Sequence, residues 1–528
     1  MSRSRRASRL GAFLVVAAAL VLVTGLSAPA ATDESGAAEE VATAQVPTEP
    51  LGHHPCVQGR AGPFACHQVD LLSFLPPSAY GGGPSSQYGG PGNVVEGWTD
   101  PDTGAEWALV GRANGTAFVD ISDPKHPVYV ANLPTQTGAT LWRDVQVYAD
   151  HAFVVSEASQ HGMQVFDLTR LRMLDRDAAP VTVLPDAHYA GFGNAHTLFI
   201  NEETGFAYPV GTGVNVRPGV PNVCSRSLHM VDVRDPKNPT YAGCYQERTD
   251  SFGYTHEVSC IVYHGPDERY QGHEICFLAN PEPRNTNPGV HSTGLAGRVL
   301  VVDVTDKSNP VRLSWAFQGF PYGYSHQAWA TDDHRYLLHQ DEGDSLRSIG
   351  GQLVGGKTRM RIFDLSDLEN LRLHSVYHGE TGASAHNIYV KGRYAYLANY
   401  FDGLRIVDIT GIDHPAAEPH PESPSAPDAA GLREVACFDV DPARNDIPGY
   451  GAAWDNYPYY RSGVVAVSGF DGFFLLKPRL GANAAAPPAT GKNPPTGNAG
   501  GQSGGGVAAC TGMRGGTGPT DPPHDPGH

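Results

Sequence analysis

Six times along this chain an apolar, β-branched strand ends on an aspartate that opens a short polar turn: "FVDISDPKHPV", "VFDLTRL", "MVDVRDPKNPT", "VVDVTDKSNPV", "IFDLSDLENLR" and "RIVDIT". The aspartates fall at Asp120, Asp167, Asp232, Asp303, Asp364 and Asp408, a period of roughly 45–70 residues once loop insertions are allowed for. "GFFLLKPRL" near the C-terminal end is a degenerate seventh copy. Asp, Ser and Thr side chains bond the turn backbone, and the proline that often follows fixes φ there. Upstream of each such strand lies a second one ("WALVG", "AFVVSE", "EICFLAN", "YAYLANY"), before it a first, and after the turn a fourth. A repeat of this length cannot bury its apolar faces alone, so the copies must stack on one another. The expected architecture is all-β, a seven-bladed β-propeller over residues 91–478 with disordered N- and C-terminal flanks.

The flanks differ in composition. Residues 1–31 carry a basic start, an apolar run and Ala28-Pro29-Ala30, the layout of a signal peptide. Residues 32–90 form an extension around Cys56 and Cys66, and residues 479–528 are a Gly/Pro-rich tail without an apolar span. A secreted or extracytoplasmic protein with no membrane span after cleavage is expected. The 8 cysteines suit that compartment. Disulfides are expected for Cys56–Cys66, which closes a short loop, and for Cys260–Cys276 across a hairpin. Spacing assigns no partners to Cys224, Cys244, Cys437 and Cys510. The formal net charge of −18 argues against nucleic acid as a partner; an unknown small molecule or an extracellular protein is expected instead, with the chain a monomer.

The segments "GTAFVDISDP", "WRDVQVY", "HAFVVSE", "HGMQVFDL", "GYTHEVSC", "YSHQAWATDD" and "GLRIVDI" resemble the LVIVD-repeat, choice-of-anchor B family of exported bacterial proteins. The resemblance spans about residues 51–478. It implies a surface or secreted propeller and no particular activity. The tail "GPTDPPHDPGH" departs from it, with no hydrophobic anchor, which favours release from the cell.

Aligning the copies on their second strands places His196, His256, His326 and His386 at the start of four consecutive first strands, with Arg143 in the second copy and Val95 in the first. The first strand of a propeller blade lines the central channel, so these imidazoles should converge at one mouth. The second strands end at the same mouth and bring Glu157, Asp341, Glu342 and Asn399 as supporting or ligand-binding groups. Imidazoles ringed by carboxylates suit a divalent metal ion, and Zn, Cu, Fe or Ca all fit within that description. Arg143 would hold an anion. The competing reading makes the histidines structural, each bonding a backbone carbonyl of the next blade. No catalytic residue is assigned, because no hydrolase, zincin, P-loop or dinucleotide motif is present. The expected function is an exported binding module with a metal-binding channel mouth; the alternative is a metal-dependent enzyme, oxidative or lyase-like, built on the same histidines.

Overall fold

The computed structural model describes residues 45–83, 92–213, 224–247, 254–281, 297–317, 324–345, 348–349, 352–353, 356–419, 426–444, 447–481 and 510. The expected signal segment and, except for Cys510, the tail beyond residue 481 lie outside the described residues. No helix among the described residues is long and apolar enough to cross a membrane.

The chain forms a seven-bladed β-propeller. Each blade is an antiparallel sheet of four strands running from the channel outward, with extra strands at the rims of two of them. The inner strands are Gly92–Thr99, Arg143–Tyr148, Thr197–Asn201, Glu257–Val262, Ser325–Ala330, Ile388–Lys391 and Ala453–Tyr457, for blades 1 to 7 in order. Neighbouring inner strands touch all the way round, and the seventh contacts the first.

The repeated aspartate does what its chemistry suggests. Asp120 Oδ1 accepts from Ser122 N at 2.9 Å, Asp303 Oδ1 from Thr305 N at 2.9 Å and Asp408 Oδ1 from Thr410 N at 3.0 Å, with equivalents at Asp167, Asp232 and Asp364. Each turn buries the residue after the aspartate (Ile121, Leu168, Val233, Val304, Leu365, Ile409) and lets its N–H donate back to a carbonyl at or just before the start of the second strand of the same blade. In blades 1, 3, 4, 5 and 6 the third and fourth strands slip register at one equivalent point, such as Phe118/Val119 and Ile406/Val407. A bulge repeated at that place adds twist to each blade, which helps successive blades pack face to face. The apolar core is accordingly divided into seven clusters among the described residues, each lying between two adjacent blades.

The N-terminal extension corrects the expected boundary at residue 91. Val69–Leu75 is the outermost strand of blade 7, antiparallel to Gly472–Pro478. The ring is therefore closed by strands from both ends of the chain. Phe64–His67 adds a further strand to the rim of blade 6, pairing Cys66 with Phe438 and His67 with Cys437. The reason is burial: the blade 7 third strand carries "FFLL", and Phe74 packs its ring 4.7 Å from that of Phe474.

Four disulfides are formed: Cys56–Cys66, Cys260–Cys276, Cys224–Cys244 and Cys437–Cys510. They suit an oxidising, extracytoplasmic environment. Cys510 is buried, so at this residue the expected disordered tail is bonded to the rim of blade 6. Peptide mapping without reductant should recover a Cys437–Cys510 cross-linked pair, and recovery of both as free thiols would contradict the assignment.

Candidate metal centre

At the mouth end of each inner strand, within it or one or two residues before it, one residue sits at the channel mouth and the next faces the axis. Hydrogen bonds from backbone N–H groups to side chains of the preceding blade fix this register. Asp144 Oδ2 accepts from Leu198 N at 2.6 Å, Gln327 Oε1 from Ile388 N at 2.5 Å, and Asp455 Oδ2 from Val95 N at 3.0 Å. In each case the second residue of one inner strand holds the third residue of the next blade. Val95 is thus a third residue, and the blade 1 position opposite the histidines belongs to Asn93. This inner strand shifts register by one residue between Gly92 and Val95, as the inner strands of blades 5 and 7 do beside His326 and Trp454. Blade 7 places Trp454 at the mouth.

The mouth tier therefore reads Asn93, Arg143, His196, His256, His326, His386 and Trp454, and the four imidazoles form a continuous arc. Ring centroids are 4.1 Å apart for His196–His256, 4.6 Å for His256–His326 and 4.2 Å for His326–His386. His196 Nε2 lies 3.2 Å from His256 Nε2. The remaining nitrogens are largely occupied from outside the arc. Glu157 Oε1 is 2.5 Å from His196 Nδ1, the Tyr324 hydroxyl is 3.1 Å from His256 Nδ1, and His386 Nδ1 meets the Trp454 carbonyl oxygen. His326, 1% exposed, has no partner for Nδ1.

Only His386 among the four makes the blade-to-blade carbonyl contact that a structural role demands. Bonds to the backbone of the next blade come from the second residues, Asp144, Gln327 and Asp455, and from Thr197, whose hydroxyl donates to His256 O at 2.9 Å. His196 and His256 also bridge blades, but through the Glu157 carboxylate and the Tyr324 hydroxyl rather than through a backbone carbonyl.

Carboxylates flank the arc on two sides. Glu342 lies 3.9 Å from His326 Nε2 and 4.0 Å from His386 Nε2, and it accepts a hydrogen bond from Tyr400. Glu257, the second residue of blade 4, faces the cavity that His196, His326 and His386 also line. Two groupings, His326–Glu342–His386 and His256–Glu257–His326, each bring one ligand atom per residue within 4.8 Å of one another. His326 belongs to both. Imidazole nitrogens and carboxylate oxygens at this spacing form a donor set that can take a divalent cation.

The electrostatics favour such a guest. Burial holds His256 and His326 well below the ordinary imidazole range and pushes His386 down to about 3, so all three stay neutral, the form that ligates metal. Burial raises Glu342 to about 7, Asp144 to about 7 and Asp455 to about 6, and lifts Glu257 well above the usual carboxyl range. A cation among them would favour the ionised carboxylates.

The other expected supporting residues are placed differently. Asp341 accepts from Tyr324 N at 2.6 Å and Gly343 N at 2.9 Å, so it shapes the loop that presents Tyr324 and does not touch the imidazoles. Asn399 lines a separate cavity between blades 5 and 6, beside Arg359, Arg405 and Glu434. The chain turns away after Ala398, with Tyr400 in the left-handed region at φ 39°, and it is Tyr400 that reaches Glu342. Arg143 lines the histidine cavity.

An LVIVD repeat description matches residues 106–135 and 382–417, which are strands two to four of blade 1 and the greater part of blade 6. The chain carries LVIVD repeats. No curated protein matches it. Similar solved structures are a hydrazine synthase of Kuenenia stuttgartiensis (10% identity, 72% of this chain and 93% of that one, TM-score 0.45) and the Cps50 (Swd1) β-propeller domain of Myceliophteria thermophila (9%, 74% and 98%, 0.42). A periplasmic gluconolactonase of Pseudomonas aeruginosa aligns at 13% identity over 65% of this chain and 88% of that one, with a TM-score of 0.38.

Proposed function

We propose that this protein is a secreted propeller binding module whose channel mouth holds one divalent transition metal on the histidine arc, with the mouth open to a small molecule or an extracellular protein. The observation that carries this reading is the arc itself. Four adjacent blades present imidazoles within ring contact of one another, three of them (His256, His326 and His386) buried and held neutral, while Glu157, Tyr324 and the Trp454 carbonyl occupy outward nitrogens. Bonds of that kind to a ligand histidine's second nitrogen fix its tautomer and its orientation. The nitrogen-rich donor set favours zinc, copper or iron over calcium, which prefers all-oxygen coordination. A monomer is the form expected to carry this activity, since the blades complete their own ring.

Elemental analysis of the purified, exported protein should find close to one equivalent of transition metal, removed by a chelator and restored by adding the metal back. A protein that takes up neither zinc, copper nor iron, and whose melting temperature ignores the chelator, would overturn the proposal.

A further inference from the structure

Arg143 is a buried cation without a counter-ion. It is 3% exposed and starts the inner strand of blade 2, next in the ring to His196. Its Nε donates to Arg112 O at 2.9 Å, and Nη1 lies 3.2 Å from His161 Nε2. His161 turns its Nδ1 toward the Gly162 carbonyl at 2.9 Å, so Nδ1 carries the proton and Nε2 is left to accept from the guanidinium. Burial and then Arg143 push His161 down to about 3, which keeps it neutral. Nη2 has no partner at all. Among the described residues no carboxylate pairs with this guanidinium; the charge that bears on it is a second buried cation, Arg112. Burial lowers Arg143 to about 9, still charged at neutral pH.

An unpaired guanidinium inside a protein is expensive, because several N–H donors are withdrawn from water with nothing charged to accept them. Arg143 bears that cost where it lines the cavity shared with His196, His326 and His386. Below that tier, aromatic side chains reach across the channel: the rings of Phe199 and Trp329 are 5.8 Å apart, and those of Trp329 and Tyr389 are 4.9 Å apart. A guest is therefore confined near the mouth. Asp144 and Glu257 line the same cavity, which penalises a guest of high negative charge.

We infer that Arg143 and the histidine arc form a receptor for a small monoanionic oxyanion, such as a short carboxylate, whose oxygens accept from the Arg143 guanidinium. Guanidinium and oxyanion geometries match, and charge-assisted hydrogen bonds of this type are about twice as strong as neutral ones. The inference deepens the metal-centre reading and rests on it for the arc, but Arg143 is identified by its own geometry.

The test uses the full exported protein, metal-loaded and chelated, at constant ionic strength with chloride as the balancing anion. Formate and acetate probe carboxylates, nitrate probes an inorganic monoanion, and phosphate probes higher charge. Trp142 and Trp454 line the cavity and supply a fluorescence signal. The wild type should give a saturable response to formate or acetate, with or without nitrate, and a weaker one to phosphate. In Arg143→Gln, confirmed folded by circular dichroism, the apparent Kd should rise at least tenfold; Arg143→Lys, which keeps the charge but loses the planar fork, should fall between. Should Arg143→Gln not fold, the lysine variant and the wild-type selectivity decide. No saturable response in the wild type, or an undiminished one in the variants, sinks the inference. Metal bound at one equivalent without any anion response removes the anion site and leaves the metal reading intact; anion binding by a protein that takes no metal does the reverse.

Discussion

Replacing His326 by alanine should abolish stoichiometric metal binding and leave a metal-free propeller no less stable than metal-free wild type. His326 is the residue common to both His/Glu groupings, so its loss leaves neither intact. Outer partners of a metal ligand typically change affinity by about 10–100-fold, and losing a ligand shared by both groupings should exceed the upper end of that range. The stability expectation runs against the usual cost of a buried large-to-small change, and for a definite reason. The His326 ring is almost fully buried with Nδ1 unpartnered and Nε2 no closer than 3.9 Å to Glu342. A buried polar atom without a hydrogen bond costs about 1–3 kcal/mol. Removing it offsets the loss of ring packing against His256 and His386. In the wild type, metal at about 100 times its Kd should add about 2.7 kcal/mol to stability, and the variant should lose that increment. Urea denaturation with and without chelator, on both proteins, reads all four states. If His326→Ala unfolds readily while wild type is indifferent to chelator, the histidines hold the blades together and the metal reading falls.

Much of the fold was legible because its determinants are local. An aspartate that accepts from the backbone N–H two residues on closes its own turn wherever it sits, so six copies announce six blades. The four histidines could be aligned for the same reason, since each stands near the start of the strand that precedes a recognisable second strand. Legibility failed where a register shift or a long-range partner decided. In blade 1, the sequence alignment puts Val95 where Asn93 belongs, across the bulge between Gly92 and Val95. Asn399 was expected at the mouth, but the left-handed Tyr400 redirects the chain and takes its place. Glu257 follows the histidine of its blade and carries no motif of its own, so the mouth residue alone does not point to it. The run Asp144, Thr197, Glu257, Gln327, Asn387 and Asp455, polar in six consecutive blades, was the signal that the second residue also faces the axis.

The strand Val69–Leu75 is the clearest case of a long-range decision, and it carries the second large effect. Its partner Gly472–Pro478 lies about 400 residues away in sequence, so no local pattern could assign it. Phe74 is 0% exposed and meets Phe474 at 4.7 Å and Phe64 at 5.9 Å, in the cluster that joins blades 6 and 7 to the N-terminal segment. Phe74→Ala should cost about 3–5 kcal/mol, the range for emptying a packed aromatic site, whereas Met173→Ala, at a side chain 86% exposed, should stay within about 0.5 kcal/mol. Urea midpoints at a common slope compare the two. Removing the whole segment through residue 75 should do more than destabilise. It uncovers Phe473, Phe474, Leu475 and Leu476 on a strand left without its outer neighbour, and an apolar strand edge recruits other chains. The truncated protein should therefore run as oligomer or aggregate in size-exclusion chromatography. A truncated chain that stays monomeric with wild-type stability would show that the ring closes without its N-terminal strand, and that blade 7 needs only the three strands of its own repeat.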